Sequence, residues 1–120
     1  MPLVSVVFSF RNEEENIPPL IERLTAMFAP LPVDYELIFV NDASTDASLR
    51  SLAAAHAANP RVKVVTLARR FGVAEGVRAG MAAARGDAVV YLDADLQDPP
   101  EVIPQLIDAW QQSRIRSGPV

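Results

Sequence analysis

The chain has 120 residues, half of them hydrophobic, with a formal net charge of −4 and no cysteine. That length allows one domain with a real core and not two, and the acidic balance argues against nucleic acid as a general partner. Absence of cysteine excludes disulfides, cysteine-ligated zinc and thiol chemistry, while a mean hydropathy of +0.15 marks a globular chain and not a disordered one.

Leu3–Phe10 (LVSVVFSF) opens the chain as a β-branched, nearly continuous apolar run, the pattern of a parallel strand covered on both faces. It lacks a basic leader and runs into Arg11-Asn12-Glu13-Glu14-Glu15, so it does not read as a secretory signal. A helical pattern follows over Asn16–Phe28, and the Glu13–Glu15 acids read as a solvated face opening that helix, where negative charge suits the dipole. The second strand is Glu36–Val40 (ELIFV), and Asp46 is expected to cap a second helix running to Ala58. His56 within that alanine-rich helix reads as a surface or packing residue. Val62–Leu67 (VKVVTL), a helix over Val73–Arg85 broken by Gly86-Asp87, and Ala88–Leu92 (AVVYL) complete four strands alternating with three helices. Asp98 followed by Pro99 and Glu101 reads as a cap, yet Pro104 lies too deep for a regular helix starting at Pro99. A short turn is therefore expected, then a main helix from about Pro104, in which Ile103, Leu106, Ile107 and Trp110 read as core. No segment approaches the roughly 18 apolar residues needed to span a bilayer. Strand–helix alternation argues an α/β fold with a doubly wound, mainly parallel sheet.

Tyr91-Leu92-Asp93-Ala94-Asp95-Leu96-Gln97-Asp98-Pro99-Pro100-Glu101 is the most informative stretch. An apolar run ends abruptly in acids two residues apart. Side chains alternate in extended backbone, so Asp93, Asp95 and Gln97 can present oxygens to one side. Such donors suit Mg²⁺ or Mn²⁺ and suit soft metals poorly. A bare D-x-D could equally be a solvated acidic loop; the Q-D-P-P-E continuation argues against that. In an open parallel sheet, ligands bind beyond the carboxyl ends of the strands, where the strand order reverses. With order 3-2-1-4, the ends Arg11-Asn12-Glu13, Asn41–Asp46, Arg69-Arg70-Phe71-Gly72 and Asp93-Ala94-Asp95 would all border one crevice. That crevice would hold metal-binding acids, arginines for phosphate, and an Asp42 carboxylate able to accept an N–H from a base, which together fit a metal-bound nucleotide diphosphate. Asp42 could instead serve only as a turn former in Asn-Asp-Ala-Ser-Thr-Asp.

Four features, SVVFSFRNEEENI, IFVNDASTD, LARRFGVAEGVRAGMAAARGDAVVYLDADLQDPPE and the spacing between them, carry a family likeness over about residues 4 to 111. The chain resembles family 2 glycosyltransferases of the GT-A fold and, among them, is similar to the polyprenyl- or dolichyl-phosphate sugar transferases of cell-envelope glycan synthesis. The resemblance implies a Rossmann-like nucleotide-binding half over residues 1–112 that takes a UDP- or GDP-sugar with Mg²⁺ or Mn²⁺. It implies that Asp42 reads the base, that Ser9 to Glu14, with Ser9, Arg11 and Glu14 foremost, line the base and ribose pocket, and that Arg69 lies near the phosphates or sugar. Asp93, Asp95 and Gln97 would hold the metal, Asp93 also facing the nucleotide. Transfer would invert the anomeric centre, towards a polyprenyl phosphate or another glycan acceptor, and no catalytic base can be assigned. The implied location is the cytoplasm, including the cytoplasmic face of the membrane.

Departures from the family pattern carry expectations of their own. Ser9 and Arg11 stand where the family often has proline and an aromatic, and Arg70 stands where asparagine is common, so Arg70 reads as an exposed cation. After Gln112 the chain runs Ser113-Arg114-Ile115-Arg116-Ser117-Gly118-Pro119-Val120, an atypical tail in place of the family's acceptor half. This admits an alternative, a truncated, non-catalytic nucleotide-binding fragment that self-associates through an open sheet edge. A nicotinamide dehydrogenase is disfavoured because no G-x-G-x-x-G follows the first strand. A phospho-acceptor receiver domain is disfavoured by the Q-D-P-P-E segment.

Overall fold

The computed structural model describes residues 1–67, 69, 72–92, 94 and 100–116, with the backbone alone described at 73 and 113–116. The elements run β1 (Leu3–Phe10), α1 (Ile17–Phe28), β2 (Asp34–Asn41), α2 (Ser48–Ala58), β3 (Val62–Thr66), α3 (Val73–Ala83), β4 (Ala88–Tyr91), a 3₁₀ turn (Pro100–Val102) and α4 (Ile103–Arg116). All four strands are parallel in one sheet of order β3-β2-β1-β4, the order expected from the convergence of the polar strand ends. Val6 pairs with Leu37 on one side and Val90 on the other, so β1 is the central strand at which the winding reverses.

That reversal divides the helices between two faces. Val4, Val6, Phe8 and Phe10 of β1 and Leu37 and Phe39 of β2 pack with Leu20 and Leu24 of α1, Leu52 of α2 and Ile103 and Ile107 of α4. Phe8 stacks on Phe39 with centroids 4.7 Å apart, and Phe10 meets the same ring edge-on at 6.3 Å. Burial of each such side chain contributes roughly 1.5–3 kcal/mol. On the other face Val7, Ile38 and Val40 meet Ala79 and Ala83 of α3. This layer is thin because α3 presents glycine to the sheet: a Cβ at Gly76 would overlap Ser9 Oγ, and one at Gly80 would overlap Val7 Cγ1. The small residues let the helix backbone lie directly on β1.

A buried polar latch closes this face at the amino ends of the strands. Glu36 is 2% exposed and accepts hydrogen bonds from Ser5 Oγ (2.5 Å), Lys63 Nζ (2.5 Å) and Arg85 N–H (2.7 Å). The Gly86 N–H donates to Ser5 Oγ (2.8 Å), so one carboxylate links β1, β2, β3 and the segment that leads into β4. Burial pushes the Glu36 carboxyl up, but the three donors outweigh it and hold the group below its ordinary value.

Several boundaries differ from expectation for nonlocal reasons. β2 starts at Asp34 because its N–H donates to Pro2 O (2.9 Å), extending the ladder by two residues. The Glu13–Glu15 acids precede α1 and do not open it: Pro18 and Pro19 occupy its first turn, and that turn holds no acid. Asp46 sits one residue before the capping position Ala47, though its Oδ1 still accepts the Ser48 N–H (2.9 Å). In α4, Ile103 and Ile107 are core as expected, whereas Leu106 is 45% exposed. His56 joins α2 to β3, its Nδ1 2.6 Å from Val62 O.

Candidate functional site

The carboxyl ends of β1 and β2 lie side by side, Phe10 opposite Asn41. The two loops that leave them are joined almost entirely by side chains reaching to backbone. Asn12 N–H donates to Ser44 Oγ (3.0 Å), Glu13 N–H to Ser48 Oγ (3.0 Å) and Glu14 N–H to Asp46 Oδ2 (3.2 Å). In return, Asn12 Oδ1 accepts the N–H groups of Thr45 (2.7 Å) and Asp46 (3.3 Å). Asn41 Oδ1 accepts Ser44 N–H (3.0 Å) and tightens the second loop on itself. Desolvation raises the Asp46 carboxyl, but its bonds from Ser48 and from the backbone at Glu14 outweigh this and hold it low. Asn12, Glu13, Glu14, Glu15, Asn16 and Asp46 line a cavity of about 270 Å³ at this junction.

Asp42 sits at the inner end of the loop pair. It is 5% exposed, its N–H donates to Phe10 O (2.9 Å), and its Oδ2 accepts Gly72 N–H (2.9 Å) at the start of α3. Gly72 has φ 91°, where an L side chain is strained, and open space surrounds the position a Cβ would take. Backbone conformation, and not crowding, requires glycine there. Asp42 is thus both the strand-end carboxylate expected at the crevice and a tie between β2 and α3.

The other expected site residues divide by position. Arg11 and Glu14 are exposed on the first loop beside Asp42's loop. Arg69 is exposed on the segment between β3 and α3. Ser9 is half-buried in β1 and faces Gly76 of α3 rather than the open loop. Asp93, Asp95, Gln97 and Arg70 lie outside the described residues. Leu92 N–H still donates to Val7 O (3.1 Å), so the ladder of β4 on β1 persists to the residue before Asp93. The donor set Asp93, Asp95 and Gln97 fits a hard divalent cation, since it offers carboxylate and carboxamide oxygens and no imidazole or thiolate. Beyond that segment, Glu101 is held to Arg23 of α1 by Nη2 contacts of 2.6 and 2.8 Å, and the guanidinium lowers its carboxyl.

Two features escape sequence reasoning, the tie made by Asn12 and the glycine face of α3. The sequence places Asn12 within the Ser9–Glu14 lining but does not show that it ties the two loops, although asparagine directly after an apolar strand is a recurrent left-handed residue, and here φ is 56°. Gly76 and Gly80, four apart on one helix face, were a visible signal of close packing.

Residues 5–115 match the family model described as glycosyl transferase family 2. The chain is 43% identical over 109 residues to an uncharacterized glycosyltransferase of Synechocystis sp., covering 91% of this chain and 34% of that protein. It is 44% identical over 110 residues to the undecaprenyl-phosphate 4-deoxy-4-formamido-L-arabinose transferase of Erwinia tasmaniensis, again covering 91% of this chain and 34% of the relative. Glucosyl-3-phosphoglycerate synthase from Mycobacterium tuberculosis, solved with Mn²⁺, UDP and glucosyl-3-phosphoglycerate, superposes with a TM-score of 0.70 at 30% identity. That superposition covers 91% of this chain and 39% of the synthase. The chain spans about a third of the length of the curated relatives it matches. Its sheet order and helix placement are those of the GT-A glycosyltransferases, and with the family model matched along nearly its whole length the chain belongs to glycosyl transferase family 2.

Proposed function

We propose that this chain provides the donor-binding part of an inverting glycosyltransferase that uses a UDP- or GDP-sugar with Mg²⁺ or Mn²⁺ and a polyprenyl phosphate acceptor. The observation that carries the reading is the buried Asp42 at the carboxyl end of β2, beside the strand β1 at which the winding reverses, with the Asp93-Ala94-Asp95-Leu96-Gln97 segment following β4 in sequence, on the other side of β1. Relatives supply the chemistry by name: one acts with undecaprenyl phosphate, and a structural neighbour was solved with Mn²⁺ and UDP.

In this reading residues 1–112 form the nucleotide-sugar-binding half, and 113–120 stand outside it. Asp42 accepts a base N–H, Arg11 and Glu14 border the base and ribose, Ser9 packs behind them against α3, and Arg69 offsets charge near the phosphates. Asp93, Asp95 and Gln97 would hold the cation, which when bound supplies Lewis-acid stabilisation of charge developing on the diphosphate. The acceptor phosphate oxygen forms the new bond at the anomeric carbon as the bond to the diphosphate breaks, inverting that centre. An acceptor that is already an anion needs no proton removed. Since polyprenyl phosphate is anchored in the bilayer, transfer takes place at a membrane surface, and in this reading that surface is the cytoplasmic face. Among the described residues no helix is long and apolar enough to cross a membrane.

Calorimetry with UDP and GDP tests the reading. Binding is expected with Mn²⁺, much weaker binding in EDTA, and a marked loss with Asp95→Asn. Equal affinity with and without metal would refute the metal assignment.

A further inference from the structure

We propose that Asn12 is the positioning residue that sets the base end of the donor crevice, by pinning the loop that carries Asp42 against the loop that carries Arg11 and Glu14. The inference rests on the donor-binding reading above and assigns a determinant of how the nucleoside part is held.

Asn12 has φ 56°, the left-handed region that asparagine enters more readily than other side-chain-bearing residues. In that conformation its Oδ1 serves two successive amides of the opposite loop, Thr45 N–H at 2.7 Å and Asp46 N–H at 3.3 Å, with Thr45 Oγ1 at 3.4 Å. Its own N–H donates to Ser44 Oγ at 3.0 Å, so the contact is reciprocal. The loop it grips contains a second left-handed residue, Ala43 at φ 59°, directly after Asp42. Alanine gains nothing from that conformation by itself. It is held there from both sides, by the Asp42 N–H bond to Phe10 O and by the Asn12 grip on residues 44–46.

Releasing the grip would let the turn relax and change the position of the Asp42 carboxylate, while leaving β1, β2 and the core beneath them intact. The hydrogen bonds of Asn12 given above all go to the loop that carries Asp42. Asn12 should therefore affect nucleoside recognition selectively.

The experiment measures dissociation constants of UDP, GDP and inorganic pyrophosphate with Mn²⁺, by calorimetry, for the unaltered chain, Asn12→Gly and Asn12→Asp. Glycine keeps the left-handed backbone and removes the acceptor; aspartate keeps an acceptor oxygen, and raised ionic strength screens its added charge. Asn12→Gly is expected to weaken the preferred nucleotide by about five- to tenfold, the effect of one ordinary net hydrogen bond, with pyrophosphate nearly unchanged. Asn12→Asp should restore most of the loss. Equal weakening of nucleotide and pyrophosphate, or no weakening by Asn12→Gly, would overturn the assignment. Should Asn12→Gly fail to fold by circular dichroism, Ser44→Ala, which removes the reciprocal acceptor, must show the same split or the assignment falls. If the unaltered chain bound neither nucleotide, the donor-binding reading itself would fall and this one with it.

Discussion

Replacing Glu36 with alanine should be among the most damaging single changes in this chain, although Glu36 lies at the end of the sheet away from the crevice. Its Oε2 accepts two bonds inside the protein, from Ser5 Oγ and Arg85 N–H, and its Oε1 pairs with Lys63. Each bond to the buried carboxylate is worth on the order of 1.5–3 kcal/mol. Lys63 is 43% exposed, so its ion pair adds only about 0.2–1 kcal/mol. Recovering the desolvation cost of the carboxylate offsets part of that sum, leaving a loss of about 3 kcal/mol for Glu36→Ala. In a chain of this size that lowers Tm by roughly 10 °C. Glu36→Gln should lose less, because an amide oxygen can still serve Ser5 and Arg85 while Lys63 turns to solvent. Urea and thermal unfolding at several pH values would measure both. The folded carboxyl lies below its unfolded value, so its contribution is full above the unfolded carboxylate range and is lost as pH falls through the folded value. The gap between wild type and Glu36→Gln should therefore narrow on acidification below about pH 4. A Glu36→Ala protein as stable as wild type at neutral pH, or a gap to Glu36→Gln that stays constant into acid, would refute the latch.

Three further outcomes follow from the packing and the site. Asp42→Ala should weaken nucleoside diphosphate binding by on the order of 1.5–3 kcal/mol while sparing metal–pyrophosphate binding; equal loss for both in calorimetry would point to general disruption of the β2–α3 tie. Gly80→Ala gains roughly 1 kcal/mol of helix propensity. It also places a Cβ into Val7 and 3.2 Å from Val40 Cγ2. Overpacking of about 1–3 kcal/mol should win, and a more stable variant in urea unfolding would contradict it. Among the described residues β4 pairs only with β1, and Val89 is 38% exposed there, so size-exclusion chromatography should show self-association that Val89→Lys reduces. A monomer at all concentrations would exclude an active open edge.

Much of the architecture was legible because it rests on local pattern. The four apolar runs are too short and too β-branched for buried helices, and parallel pairing of the strands brings their polar carboxyl ends to one edge of the sheet. Where the reading slipped, a nonlocal partner decided the outcome. Nothing local tells that Asp34 joins β2, since its N–H bonds to Pro2 thirty-two positions away in the chain. Leu106 fits the helical repeat as well as Ile107 does, yet among the described residues it is Ile103 and Ile107 of α4 that join the core. Glu36 and Lys63 each looked like an ordinary polar residue in a strand; pairing them requires knowing that β2 and β3 are neighbours. At the site, Asp42 was found from its place after an apolar strand. Its bond to Gly72 could not be, because it depends on how α3 begins.

These particulars assign different work to the two ends of the sheet. At the amino ends, one buried carboxylate ties three strands and the approach to the fourth with short bonds, which resists sliding of the strands past one another. At the carboxyl ends, among the described residues, the loops of β1 and β2 are joined by hydroxyl, amide and carboxylate side chains reaching across to backbone N–H groups. Such contacts are individually modest, so the crevice end can adjust by small loop movements while the register beneath it stays fixed. The glycine face of α3 serves the same division. Gly76 and Gly80 hold the helix on β1, and Gly72, one turn earlier, is where α3 meets Asp42. A nucleotide that engages Asp42 would thus meet a carboxylate whose backbone is fixed by β1 and whose second partner is the start of α3. A change in that carboxylate's bonding would act directly on the start of α3.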